Sequence, residues 1–315
     1  MASKYEEIDL KRVRTVSIAD RGSKVTIDDY GDPVKGGKAF RHWLDSLPDQ
    51  LAAKQVRKLV LAFRRALSSK EKEMIWMMGA HVIKCGLSPY LTALMKKGYI
   101  TALAVNGAVA IHDLEMAFFG ETSEDVAVNL EKGIFGFSTE TADRMFQAVD
   151  SGFDEDLGLG ESIGRYILEE KAPNADKSLL ARAYRNDIPV TMHISIGTDI
   201  VNQHPGFDGA KWGSLSARDF RIFCSRMERL GRSSGVVLNV GSAVILPEVF
   251  LKAYSVARNL GASFGKLTTA NIDMIQHYRP GENLLKRPGS LGAETIAITG
   301  HHELVIPLLF SALMS

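Results

Sequence analysis

Short runs that are apolar from end to end, separated by stretches of helical spacing, constrain this chain more than any other feature. Residues 73–80, 100–105, 188–194, 235–241, 263–269 and 294–299 each read as a strand of this kind. Residues 87–97, 112–119, 217–230, 249–260 and 302–314 carry apolar side chains at the three-and-four spacing of a helix. A strand with one wet face alternates apolar and polar residues, and these runs do not alternate. Both of their faces must therefore be covered. The pattern predicts an α/β fold: a doubly wound, mostly parallel sheet with helices on both sides. Such sheets bind ligands at the carboxyl ends of their strands, at a topological switch point.

The 315 residues fit one large domain of this class. The expected division is an N-terminal arm over residues 1–37 and a single doubly wound α/β domain over 38–315. The arm is charged, carries turn signals and reads as an extension with one short strand rather than as core. Residues 38–66 have helical spacing interrupted at Pro48, which predicts a helical hairpin packed on the domain. Thr122-Ser123-Glu124-Asp125 reads as a helix start.

Lys+Arg 38 against Asp+Glu 37 gives a formal charge of +1, too little positive field to hold nucleic acid or an anionic membrane. Cys85 and Cys224 are too few for a disulfide framework or a four-cysteine zinc site, and a reducing cytosol is the expected compartment. No stretch approaches the ~18 apolar residues of a membrane span, and the polar N-terminus has no signal-peptide character.

Small and polar residues close several strands: Gly79-Ala80-His81, Asn106-Gly107-Ala108, Ser195 to Asp199, Asn239 to Ser242, and Thr268 to Asn271. Glycine and alanine there let a backbone approach a pyrophosphate. Neither GxGxxG nor GxxxxGK[ST] occurs, and glycines at strand-to-helix turns also serve packing alone. Gly231 to Gly235 matches Gly-x-Ser-x-Gly but precedes a strand, so it reads as a loop. His301 and His302 are adjacent and cannot chelate as an i, i+4 pair. His81 and His112 each follow a strand, with Asp113 and Glu115 nearby, but no HExxH or HxH appears and no metal is expected. Cys85, beside Lys84, reads as a buried thiol or as one activated at a helix N-terminus.

The segment from Met78 to Ser88 (MGAHVIKCGLS), followed by Leu103 to Glu115 (LAVNGAVAIHDLE), resembles deoxyhypusine synthase, and more narrowly its bacterial synthase-like relatives. The likeness continues through Glu161-Ser162-Ile163-Gly164-Arg165, Ile188-Pro189-Val190, Thr269-Ala270 and Leu304 to Leu309, roughly residues 40 to 312 in order. The resemblance implies a Rossmann-like sheet that binds NAD in a homotetramer, with sites at subunit interfaces. It implies a reaction in which NAD takes a hydride from a polyamine, spermidine or putrescine. The aminobutyl group then passes through an enzyme lysine to a small amine or a protein lysine. A member that keeps the NAD-binding oligomer but has lost or changed the transfer is the alternative.

Carried over residue by residue, the cofactor positions fall on Gly79, Ala80, His81, Asn106, Gly107, Ala108, Asp199, Gly241, Ser242, Thr269 and Ala270. The adenosine-side Asp-Ala of the family falls on His301 and His302, a departure. The Trp-Gly-Lys motif becomes Leu284-Leu285-Lys286, which makes Lys286 the candidate imine-forming lysine. A lysine of pKa about 10.4 is neutral in only about one molecule in 2,500 at pH 7, so such a lysine needs desolvation or a neighbouring cation. A polyamine carries several ammonium groups, and burying them requires carboxylates. Asp199, Asp208, Asp273 and Glu282 lie in loops after strands and are the expected substrate carboxylates, with Trp212 offering cation–π contact.

Overall fold

The computed structural model describes residues 10–315. Eight strands occur in chain order: β1 (Ser23–Thr26), β2 (Met74–Met78), β3 (Ala102–Asn106), β4 (Glu121–Glu124), β5 (Val190–His193), β6 (Val236–Val240), β7 (Thr268–Asp273) and β8 (Glu294–Thr299). Six of them form one parallel sheet in the order β5-β3-β2-β6-β7-β8. Numbered by their sequence within that sheet, the order is 3-2-1-4-5-6, that of the Rossmann fold. The chain lays down β2, β3 and β5 outward in one direction, then returns to place β6 against the other side of β2. The strand order therefore reverses between β2 and β6.

Burial explains the unbroken apolar runs. Every residue of β2, β5, β6 and β7 is buried, whereas β8, at the sheet edge, alternates. The pleat sends alternate β2 residues to opposite faces. Met74, Trp76 and Met78 join the larger core, and Ile75 and Met77 join the second, with Phe223, Leu246 and Phe250. The α/β class and the parallel sheet agree with the sequence reading. Among the described residues no helix is long and apolar enough to cross a membrane.

Several boundaries differ from expectation. Pro48 does separate two helices, Gly37–Ser46 and Leu51–Leu67. Of residues 122–125, read as a helix start, the first three belong instead to β4, which pairs antiparallel with β1; only Asp125 caps a helix, Val126–Glu131, by accepting from the Val128 amide. The arm, read as lying outside the core, buries Ile18 and Arg21; residues 1–9 of it lie outside the described residues. The strand placed at 263–269 runs instead from Thr268 to Asp273. Phe264, with φ 54, occupies the turn that precedes it.

Candidate functional site

The reversal between β2 and β6 is built by two glycines. Gly79 leaves β2 and donates from its amide to the Val240 carbonyl at 2.9 Å; Gly241 leaves β6 and donates to Ile272 at 3.1 Å. A Cβ on Gly79 would stand 2.1 Å from the Gly241 carbonyl oxygen, and neither backbone can yield. Gly241 itself holds φ 68, the left-handed region that favours glycine. Gly79→Ala is therefore expected to cost about 1–3 kcal/mol of stability as an overpacking change, measured as a lower denaturant midpoint at unchanged slope.

Buried amides order the adjoining strand ends. Asn239 Nδ2 donates to Asn271 Oδ1 at 2.7 Å and to the Ser242 carbonyl at 3.0 Å. Asn271 Nδ2 passes on to Gln276, whose amide reaches the Ile298 carbonyl. Asn239 Oδ1 stays without a partner, as do both ring nitrogens of the buried His302 and Oδ2 of Asp199. Buried polar atoms are nearly always paired, so these orphans at the carboxyl edge are free to meet a ligand's polar groups. With the glycine contact they fit a nucleotide laid across the reversal.

Beside this crevice, over the ends of β3 and β5, lies a pocket of about 240 Å³. Its floor is the helix Gly107–Phe119, capped by Asn106 Oδ1, which accepts from the Val109 amide. The arm closes one side: Arg21 Nη1 and Nη2 each donate to Glu115 at 3.0 Å. Thr141 donates to Glu115 at 2.8 Å, and Thr122 also donates to it. Since the Thr122 hydroxyl proton goes to Glu115, its oxygen accepts from His112 Nδ1–H at 2.7 Å, which leaves Nε2 as the unprotonated nitrogen. Burial pushes His112 down to about 4, so the ring is neutral at pH 7. Asp199 faces this pocket with its carboxyl pushed up to about 6 by burial. Gly107 makes room for it, because a Cβ there would lie 2.3 Å from Asp199 Oδ2. Lys84 reaches the same pocket, and among the described residues no ion pair holds its ammonium.

The sequence-derived residues separate into groups. Gly79, Ala80, His81, Gly241 and Ser242 line the reversal; Asn106, Gly107, Ala108 and Asp199 border the pocket. Asp273, a substrate candidate, ends β7, with Oδ1 3.8 Å from His302 Nε2. His302 is buried, whereas His301 is exposed at the start of the last helix. Thr269 and Ala270 sit mid-strand in the core, and Thr269 donates to the Leu284 carbonyl at 2.6 Å; the strand runs on past them, so neither reaches the edge.

Lys286 is displaced further. The helical segment 278–290 turns back from the carboxyl edge, and its Leu284 already lies level with Thr269. From there to Asp273 is about 13 Å along the strand. The Lys286 side chain is 74% exposed and paired with Glu282, and that hydrogen bond raises its pKa. This is the reverse of what imine formation needs. Glu282 is likewise occupied there. Asp208 is spent as a helix cap, accepting from the Ala210 and Lys211 amides, and Trp212 is buried against Phe207. Nor do His81 and His112 share a site with Asp113, which accepts from Ser178, Leu179 and Leu180 inside the core. Sequence reasoning named Lys84 only as the neighbour of Cys85 and passed over Arg21, which has no local signal at all.

Sheet order, glycine reversal and edge pocket together define a Rossmann-type α/β chain with its topological switch point between β2 and β6. Residues 56–141 match the family described as the ArgZ-like arginine dihydrolase, C-terminal, Rossmann fold, which spans β2, β3 and the helices after them. No curated protein matches the sequence. Among solved structures the chain resembles a conserved LOR/SDH candidate protein from Methanococcus maripaludis S2, at 17% identity and TM-score 0.54, covering 84% of this chain and 68% of that one. It also resembles AgrE in its ternary complex with ornithine and NAD+, at 15% identity and TM-score 0.52, covering 82% of this chain and 33% of that one. A deoxyhypusine synthase candidate from Entamoeba histolytica has 12% identity and TM-score 0.50, covering 89% and 96%. At these identities the likeness is one of fold. The chain spans about a third of the length of the ArgZ and AgrE chains it resembles.

Proposed function

We propose that this chain is an NAD-dependent enzyme acting on a small amine, with the dinucleotide across the β2–β6 reversal and the amine in the 240 Å³ pocket. The observation that carries the reading is the strand-order reversal, edged by glycine backbone and orphaned polar atoms, beside a pocket too small for a dinucleotide. When bound, NAD supplies a hydride acceptor for the carbon that bears the amine. Gly79, Gly241 and Ser242 would hold it. Asp199 is the counter-charge for a substrate ammonium, which would restore the low pKa that burial denies it. The neutral Nε2 of His112 is placed to accept a proton in the same pocket.

The finer reading is aminobutyl transfer of the deoxyhypusine synthase type. Spermidine or putrescine would be the donor, a small amine or a protein lysine the acceptor, and subunit interfaces of a tetramer the setting. In this chain the lysine for that step is Lys84, which lies in the pocket, and not Lys286. The ornithine and NAD+ held by AgrE favour the same chemical class, an amine on a short alkyl chain.

Borohydride trapping tests this. The protein is incubated with NAD and spermidine, putrescine or ornithine, reduced, and mapped by mass. An adduct on Lys84 that is lost in Lys84→Met is expected. An adduct on Lys286 would keep the chemistry and overturn the assignment. NAD bound with no adduct and no reduced cofactor would favour the alternative, a family member that has lost the reaction.

A further inference from the structure

We propose that His81, Cys85 and Glu303 form a site for a zinc-like divalent transition metal at the mouth of the crevice, with three protein ligands and one open position. The proposal does not depend on the reading of the reaction.

His81 and Cys85 stand four residues apart on one helical turn, and Glu303 enters from the first turn of the helix His302–Leu313. One ligand atom from each lies within 4.8 Å of the other two. The spacings are those of a tetrahedral edge. Bonds of about 2.3 Å to sulfur and about 2.0–2.1 Å to nitrogen or oxygen put N and S about 3.5 Å apart, and S and O about 3.6 Å apart. Here His81 Nε2 and Cys85 Sγ are 3.3 Å apart, and Cys85 Sγ is 3.7 Å from Glu303 Oε2. One thiolate, one imidazole and one carboxylate make a borderline-soft set, which favours zinc or cobalt over magnesium or calcium.

A second observation points the same way. His302 is 1% exposed, has no hydrogen-bond partner for either ring nitrogen among the described residues, and stands edge-on to His81 with ring centroids 5.5 Å apart. A metal-bound water or ligand group beside His81 supplies the partner that His302 lacks. Histidine spacing gave no hint of this, because the chelating pair is a histidine and a cysteine.

Cobalt(II) titration of the full-length chain is the test. Wild type is expected to bind one equivalent with a thiolate-to-cobalt charge-transfer band, displaced by zinc. Cys85→Ser should abolish the band, and Cys224→Ser should leave it. The exposed Glu303→Gln, which threatens folding least, should weaken affinity at least tenfold. Zinc should also slow alkylation of Cys85 but not of Cys224. A band that survives in Cys85→Ser, or alkylation of Cys85 unchanged by zinc, would overturn the site and leave a thiol–imidazole pair in its place.

Discussion

Arg21→Met should lower unfolding stability by about 3–5 kcal/mol, the usual effect of stripping one partner from a buried ion pair. Arg21 and Glu115 are 2% and 1% exposed at their side chains, and the guanidinium meets the carboxylate through two parallel bonds of 3.0 Å. Without Arg21 the Glu115 charge would retain only the two threonine hydroxyls. Glu115→Gln alone should cost less, because the Glu124 carboxylate, 3.8 Å from Arg21 Nη1, still balances the buried guanidinium. The double variant Arg21→Met with Glu115→Gln should recover a large part of the loss, giving a coupling of more than ~1 kcal/mol in a double-mutant cycle. Chemical denaturation of the four proteins decides it. Additive single effects would mean that the pair contributes no coupling and that the arm is held by its other contacts, the β1–β4 ladder and the Glu140 bonds among them.

Asp199→Asn is expected to move stability in the opposite direction. Burial raises the Asp199 carboxyl from 3.8 to about 6. An acid raised on folding stabilises fully below its unfolded value, and that contribution is lost as pH climbs through the folded value. Asparagine does not titrate. The variant's advantage should be near zero at pH 4 and reach about 2–3 kcal/mol at pH 8, at 1.36 kcal/mol for each unit. The same substitution should weaken amine binding by about 30-fold or more, because it removes the pocket's free counter-charge. The two halves separate cleanly. Thermal shifts against pH test the buried carboxylate, and amine titrations test the proposed substrate. A gain in stability with unchanged amine affinity would reject Asp199 as the ammonium partner and leave its burial intact.

The two predictions also mark what local sequence conveys. β2 and β6 were legible because a strand covered on both faces must be apolar throughout, and glycine marks its exit. Asp199 was legible as an acid in an edge loop. Arg21 was not, since its partner is 94 residues away and the arm's turn signals disguise a residue that is 6% exposed. Thr269 and Ala270 were misplaced because threonine and alanine suit a buried strand as well as its end. The ladder of β7 to β8, six pairs from Thr268 to Asp273, settles where the edge lies. Lys286 resembled a motif as a string, but a string does not record that its helix travels back toward the amino ends of the strands. Lys84 and Cys85 are neighbours in sequence that serve different spaces, the pocket and the crevice mouth, because successive residues of a helix point about 100° apart.

The reversal between β2 and β6 has a kinetic side. β2 finds β3 within a few dozen residues of chain, but it meets β6 only after Val236 has been made. The sheet thus consists of two three-stranded halves, and the crevice is the seam along which the later half closes on the earlier one. Any molecule bridging Gly79 and Gly241 acts as a rivet between the halves, so its saturation will add to the equilibrium stability.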